Sequence, residues 1–194
     1  SHDASLTAFG NTVPTSFLRL VPHQEAPTAI CWGDRNRSVL VRVPLGWQNI
    51  DDSMFRDANP AEPPIDELPN DSQTVELRSP DGSAAVHLLL AGIAVAARIG
   101  LTEPGMADYA RERKVDGDAS QTPDLDQLPG SCFEAAGRLL TQREDYEAKG
   151  VFPAGLIDSW ASQLVALGDV HLRDDLADSL ISVEELVERY FHIG

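Results

Sequence analysis

One stretch constrains the chain more than any other: residues 19–47, RLVPHQEAPTAICWGDRNRSVLVRVPLGW. Two short apolar runs, residues 28–32 and 39–43, flank the polar Gly33-Asp34-Arg35-Asn36-Arg37-Ser38. Apolar runs of this length on either side of turn-forming residues read as a pair of extended segments around a turn. The stretch also places Arg19, Arg35, Arg37 and Arg42 close together with few acids among them, in a chain of formal net charge -16. The guanidinium is a fixed fork of donors that matches carboxylate and phosphate oxygens two at a time, so arginines gathered here point to an anionic ligand.

The charge balance narrows that ligand. With 15 Lys and Arg against 31 Asp and Glu, the chain as a whole repels polyanions, which argues against a nucleic-acid partner or an anionic membrane surface. Any anion must be met locally. No run approaches the roughly 20 apolar residues of a membrane span, and the N-terminus lacks the charged and apolar regions of a signal peptide, so no membrane partner and a cytoplasmic location are expected. Cys31 and Cys132 have neither metal-site spacing nor a disulfide framework and read as reduced thiols.

At 194 residues the chain has the size of one domain. Residues 3–15, with Gly10-Asn11 and Pro14, read as a loop. A chain that opens in a loop leading straight into its densest motif is expected to continue upstream. Residues 48–72 are acidic and proline-rich and read as a surface insertion. Thr74-Val75-Glu76-Leu77-Arg78 alternates and reads as a strand with Glu76 and Arg78 on one face, closed by the turn Ser79-Pro80-Asp81-Gly82. Ser83 is expected to cap a helix over 84–99, apolar nearly all round and therefore buried. Residues 102–129 read as turn-rich, with a short helix over 109–114. Helices are then expected over 132–149, 153–167 and 182–191, the last opened by the capping box Ser182-Val183-Glu184-Glu185. The expected fold class is α+β: a few antiparallel strands followed by packed C-terminal helices.

Arg19, Arg37, Arg42 and Arg78, with Glu25 and Glu76, all lie on or beside the strand candidates. Pairing of those strands brings them to one surface. A cationic face carrying two carboxylates suits a small acidic substrate, a phosphate and a divalent cation, although Glu76 alone cannot hold a metal. An arginine on a strand of an acidic protein is, taken singly, more often an ion-pair partner than a ligand, so spacing alone stops at an anion-binding α+β domain.

The segments RLVPHQEAP, DRNRSVLVRVP and VELRSPDGSA, in this order, closely resemble the C-terminal part of the catalytic domain of glutamine synthetases. The resemblance is dense over residues 15–101 and looser over the helical region 128–194, so that the whole of 1–194 resembles the C-terminal portion of that domain, without the family's N-terminal β-grasp domain and upstream strands. It implies an ATP-dependent ligase that joins ammonia to glutamate through γ-glutamyl phosphate, with Mg2+ or Mn2+, in a homo-oligomeric ring whose sites form between subunits. It further implies that Arg19 and Arg78 bind glutamate, that Glu25 sits on a closing loop and accepts a proton from the attacking ammonia, and that Arg37 meets the transferring phosphoryl group and substrate. Arg42 then contacts the nucleotide, and Glu76 is one of several metal ligands. His23-Gln24 replaces the family's glycine-tyrosine before Glu25, which keeps open a ligase for another amine. A non-catalytic assembly module is the reading from a different class, and retention of all six residues speaks against it. Taken alone, the chain is expected to be inactive.

Overall fold

The computed structural model describes residues 2–21, 26–44, 57–61 and 74–192. Glu25, His23-Gln24 and nearly all of the acidic 48–72 segment lie outside the described residues.

The chain opens in helix, not in a loop. α1 (Asp3–Gly10) and α2 (Pro14–Leu18) occupy the segment where Gly10-Asn11 and Pro14 predicted irregular structure. Both signals are helix-end signals here: Gly10 closes α1, Asn11 caps its C-terminus through its N–H to the Thr7 carbonyl, and Pro14 takes the first turn of α2, where no N–H is needed. Ser5 through Gly10 are all buried, so α1 is a central helix.

Three short strands follow: β1 (Trp32–Asp34), β2 (Val41–Val43) and β3 (Glu76–Leu77), in the order β1-β2-β3. The α+β class holds, but the sheet is mixed. β2 and β3 are antiparallel as expected, with Arg42 opposite Glu76, whereas β1 and β2 run parallel, with Gly33 opposite Arg42. The connection 35–40 is therefore not a hairpin turn. It doubles back through Arg35, whose φ of 56° is left-handed, and is held by Asn36, whose Nδ2 donates to the carbonyls of Val115 at 3.2 Å and Gly117 at 2.6 Å. Gly33 is required at this crossing, since a Cβ there would lie 2.4 Å from the Val115 carbonyl oxygen. The apolar run before β1 pairs with later chain: Ile30 N–H donates to the Asp126 carbonyl and Leu128 N–H to the Thr28 carbonyl, both at 2.7 Å.

The remaining described elements are helical: α3 (Val86–Thr102), α4 (Met106–Glu112), α5 (Cys132–Thr141), α6 (Arg143–Glu147), α7 (Leu156–Val165), α8 (Leu172–Ala177) and α9 (Val183–Tyr190). Ser131 caps α5, and the predicted capping box of Ser182 and Glu185 opens α9. Three expectations need correction. Ser83 does not cap α3, whose N-cap is Ala85; the Ser83 hydroxyl is instead bound to Asp81 and Thr12. Nor is α3 buried all round. Leu89, Gly92, Val95 and Ile99 are buried, while Val86, Leu90 and Leu101 remain 57%, 60% and 87% exposed, so its second apolar face is uncovered among the described residues. Finally, the helix expected over 132–149 breaks at Gln142, where ψ turns to 17°, and α6 then delivers Tyr146 to the core.

That core is built on aromatic rings. Phe9 stacks on Phe152 with centroids 5.4 Å apart, and Tyr146 meets both edge-on. The Tyr146 hydroxyl is satisfied by Ser5 Oγ at 2.6 Å, and its burial pushes its ionisation well above the ordinary tyrosine range. α1 packs on α3 and α5, and α5 on α7. Both cysteines are free and buried, and burial pushes both thiols up, so they stay protonated and inert at neutral pH.

Asp169 fastens the C-terminal helices to this core. Its buried carboxylate accepts the Cys132 N–H at 2.6 Å and the Phe133 N–H at 3.2 Å, two donors that the first turn of α5 cannot pair internally. Replacement by alanine leaves those buried N–H groups unpaired. Asp169→Ala is expected to lower the unfolding free energy by about 1–3 kcal/mol. A denaturant titration reads this as a lower midpoint with an unchanged slope.

Candidate active site

Five of the six predicted site residues fall within the described chain; residues 76–80 carry two of them, Glu76 and Arg78, and touch the other three. At the sheet, Arg42 and Glu76 stand opposite each other in the β2–β3 register, with Nε and Oε2 2.5 Å apart. Both are partly exposed, Arg42 at 24% and Glu76 at 42%. At this exposure the pair fixes geometry more than it stabilises the fold. The Arg78 N–H continues the pairing by donating to the Leu40 carbonyl at 2.9 Å. Its guanidinium reaches across to the loop between β1 and β2, donating from Nη1 to the carbonyls of Arg37 and, at 3.2 Å, Val39. Arg78 therefore braces the backbone from which Arg37 projects, while Arg37 itself is exposed.

Arg19 arrives from a different element. It is the C-cap of α2, and its Nη2 donates to the carbonyl of Ser79 and, at 3.4 Å, to that of Pro80. The position of α2 is set from behind by Arg173 of α8, whose Nη2 donates to the carbonyls of Phe17 at 2.7 Å and Leu20 at 3.2 Å, at the C-terminal end of α2. The same segment that pairs Glu76 with Arg42 thus supports Arg78, the backbone of Arg37, and Arg19.

Sequence reasoning missed the residues that hold this arrangement in place. Asn11 and Asn36 read as loop and turn residues and Ser83 as a helix cap, because the partners that hold them lie in remote chain: Ser79 for Asn11, Val115 and Gly117 for Asn36, Thr12 for Ser83. Among the described residues no grouping of three or more His, Cys, Asp or Glu is placed to hold a metal ion. Glu76 offers one carboxylate, already beside Arg42, and this donor set by itself does not fit a divalent cation that needs several oxygens. No single described helix is long and apolar enough to cross a membrane.

The family description "Glutamine synthetase, catalytic domain" matches residues 1–163, a span that includes every residue of this cluster. The chain belongs to the glutamine synthetase family. Among relatives of that name, the glutamine synthetase of Pyrococcus abyssi is 33% identical over 201 residues, covering 99% of this chain and 40% of that protein. That of Thermococcus kodakarensis is 31% identical, covering 99% of this chain and 39% of its own length. The chain therefore spans about 40% of the length of the glutamine synthetases it matches. A solved chain described as "GmaS/ADP complex-Conformation 1" shares the fold with a TM-score of 0.56 at 23% identity, over 97% of this chain and 36% of its own.

Proposed function

We propose that this chain forms the cationic wall of an active site in a glutamine synthetase that joins ammonia to glutamate at the expense of ATP. The observation that carries this reading is the convergence of Arg19, Arg42, Arg78 and the Arg37 backbone on residues 76–80, in a chain whose family is shown. Arg19 and Arg78 receive the carboxylate of glutamate. Arg37 and Arg42 face the phosphates of ATP, and Glu25 is the closing base.

The reaction asks for this arrangement. An oxygen of the glutamate side-chain carboxylate attacks the γ-phosphorus, the bond to the β–γ bridging oxygen breaks, and ADP leaves. Ammonia then attacks the acyl carbon, the bond to the phosphate oxygen breaks, phosphate departs, and a proton from the attacking nitrogen goes to Glu25. Phosphoryl transfer is governed by positioning and by cations aimed at spread negative charge, which fixed guanidinium groups supply without reorganising. A carboxylate that closes over the acyl phosphate keeps water out and removes the proton. Glu76 is assigned as one ligand of a Mg2+ or Mn2+ whose other ligands lie in the rest of the relatives' length, and no step above is routed through it.

The rest of that length also supplies the other walls, and a ring of subunits joins them. The isolated chain is accordingly expected to be inactive. In the full-length protein, phosphate release from ATP should require glutamate and ammonia together, and small amines or polyamines should not replace ammonia. Release that is no faster with glutamate than without it would overturn the proposal; release driven by another amine and not by ammonia would reassign the substrate.

A further inference from the structure

Asn11 lies outside the arginine set, yet it meets Arg19 on a single atom. It is wholly buried at the end of α1. Its Nδ2 donates to the Ser79 carbonyl oxygen at 2.7 Å, and the same oxygen accepts from Arg19 Nη2. A carbonyl oxygen has two lone pairs. With Asn11 on one, the guanidinium is confined to the other.

The attachment of α1 to this loop does not depend on Asn11. Thr12 N–H donates to Ser83 Oγ at 2.9 Å, Thr12 Oγ1 donates to the Ser83 carbonyl at 2.6 Å, and Asp81 N–H donates to the Gly10 carbonyl at 3.1 Å. Gly10 is pressed so closely on Pro80 that a Cβ would sit 3.0 Å from Pro80 Cγ. The amide of Asn11 is costly to bury here, because Asn11 Oδ1 has no hydrogen-bond partner among the described residues, and Ser79 Oγ and Arg19 Nε at the same locus share that condition. A buried amide that leaves one end unpaired, beside contacts that already hold the segments together, is best explained by what its other end does.

We infer that Asn11 is a positioning residue for Arg19, setting the aim of its guanidinium through the shared Ser79 carbonyl. The inference rests on the reading of Arg19 as the group that receives the glutamate carboxylate. A guanidinium freed from this constraint swings with the 79–80 peptides, and a misaligned fork loses one of its two parallel N–H bonds to a carboxylate, which weakens binding.

The test is steady-state kinetics of the full-length protein, with glutamate and ATP varied separately, for Asn11→Ala, Arg19→Ala and the double variant. Asn11→Ala should raise the glutamate KM by about tenfold, leave kcat and the ATP KM within about twofold, and add nothing to Arg19→Ala, as expected when one residue acts through the other. Asn11→Asp keeps the volume but lacks the donor, and it carries the same expectation if the alanine variant does not fold. Additive effects in the double variant, equal changes for both substrates, or a normal Asn11 variant beside a defective Arg19 variant would each overturn the positioning role alone. Failure of both Asn11 variants to fold would overturn it in favour of a purely structural one. If Arg19→Ala leaves the glutamate KM unchanged, the substrate role of Arg19 falls instead.

Discussion

Arg19→Ala in the full-length protein is expected to lower kcat/KM for glutamate by roughly 100- to 1000-fold, the scale of losing one partner of a desolvated charge pair. The loss should appear chiefly in the glutamate KM, with the ATP KM little changed, because Arg19 stands on the α2 side of residues 76–80 and Arg42 on the sheet side. Arg19→Lys should recover only part of it. A single ammonium cannot hold the Ser79 carbonyl and also offer two parallel donors to a carboxylate. Equal losses for both substrates would mean that Arg19 serves the fold of the loop rather than the amino acid.

Phe152→Ala should have the largest effect on stability. Phe152 is 2% exposed and stacks on Phe9, with Tyr146 edge-on to both, so truncation opens a cavity where α1 meets the α6–α7 connection. Losses of about 3–5 kcal/mol are typical for deleting a buried phenylalanine. Against a total of roughly 5–15 kcal/mol for a domain, this brings the chain near its folding limit. Thermal unfolding followed by circular dichroism should show a marked fall in midpoint. A shift no larger than that of an exposed control such as Leu101→Ala would contradict the placement of the core on these rings.

The contrast between what could and could not be read from the sequence follows the range of the interactions. The capping box at Ser182 was legible because cap and partner lie within three residues of each other. The arginine motifs were legible because their order and spacing form a pattern. The parallel pairing of β1 with β2 was not, since two apolar runs around a polar turn look the same whether the chain forms a hairpin or doubles back through Arg35. Gly10, Asn11 and Pro14 were read as a loop because residues that end one helix and begin the next carry the same local chemistry as a loop. The burial of α1 depends on α3 and α5, far along the chain. α8 was missed for a similar reason: Leu172–Ala177 is short and has no buried face, and it is placed by Arg173 on the carbonyls of Phe17 and Leu20.

For the candidate site, the sequence singled out the arginines and Glu76 but not the residues that brace them. The resemblance implies that Arg78 contacts substrate, and its Nη1 also donates to the carbonyls of Arg37 and Val39. Its bracing of the Arg37 backbone is a task that no local pattern could show.

The proposed role of this cationic wall is transfer of phosphate to the side-chain carboxylate of glutamate. The most direct measurement uses glutamate labelled with 18O in that carboxylate, turned over by the full-length protein with ATP and ammonia. Formation of an acyl phosphate and its displacement by ammonia move one carboxylate oxygen into each phosphate released, so mass spectrometry should find one labelled oxygen per phosphate. Unlabelled phosphate, with the label retained in the amino-acid product, would rule that role out.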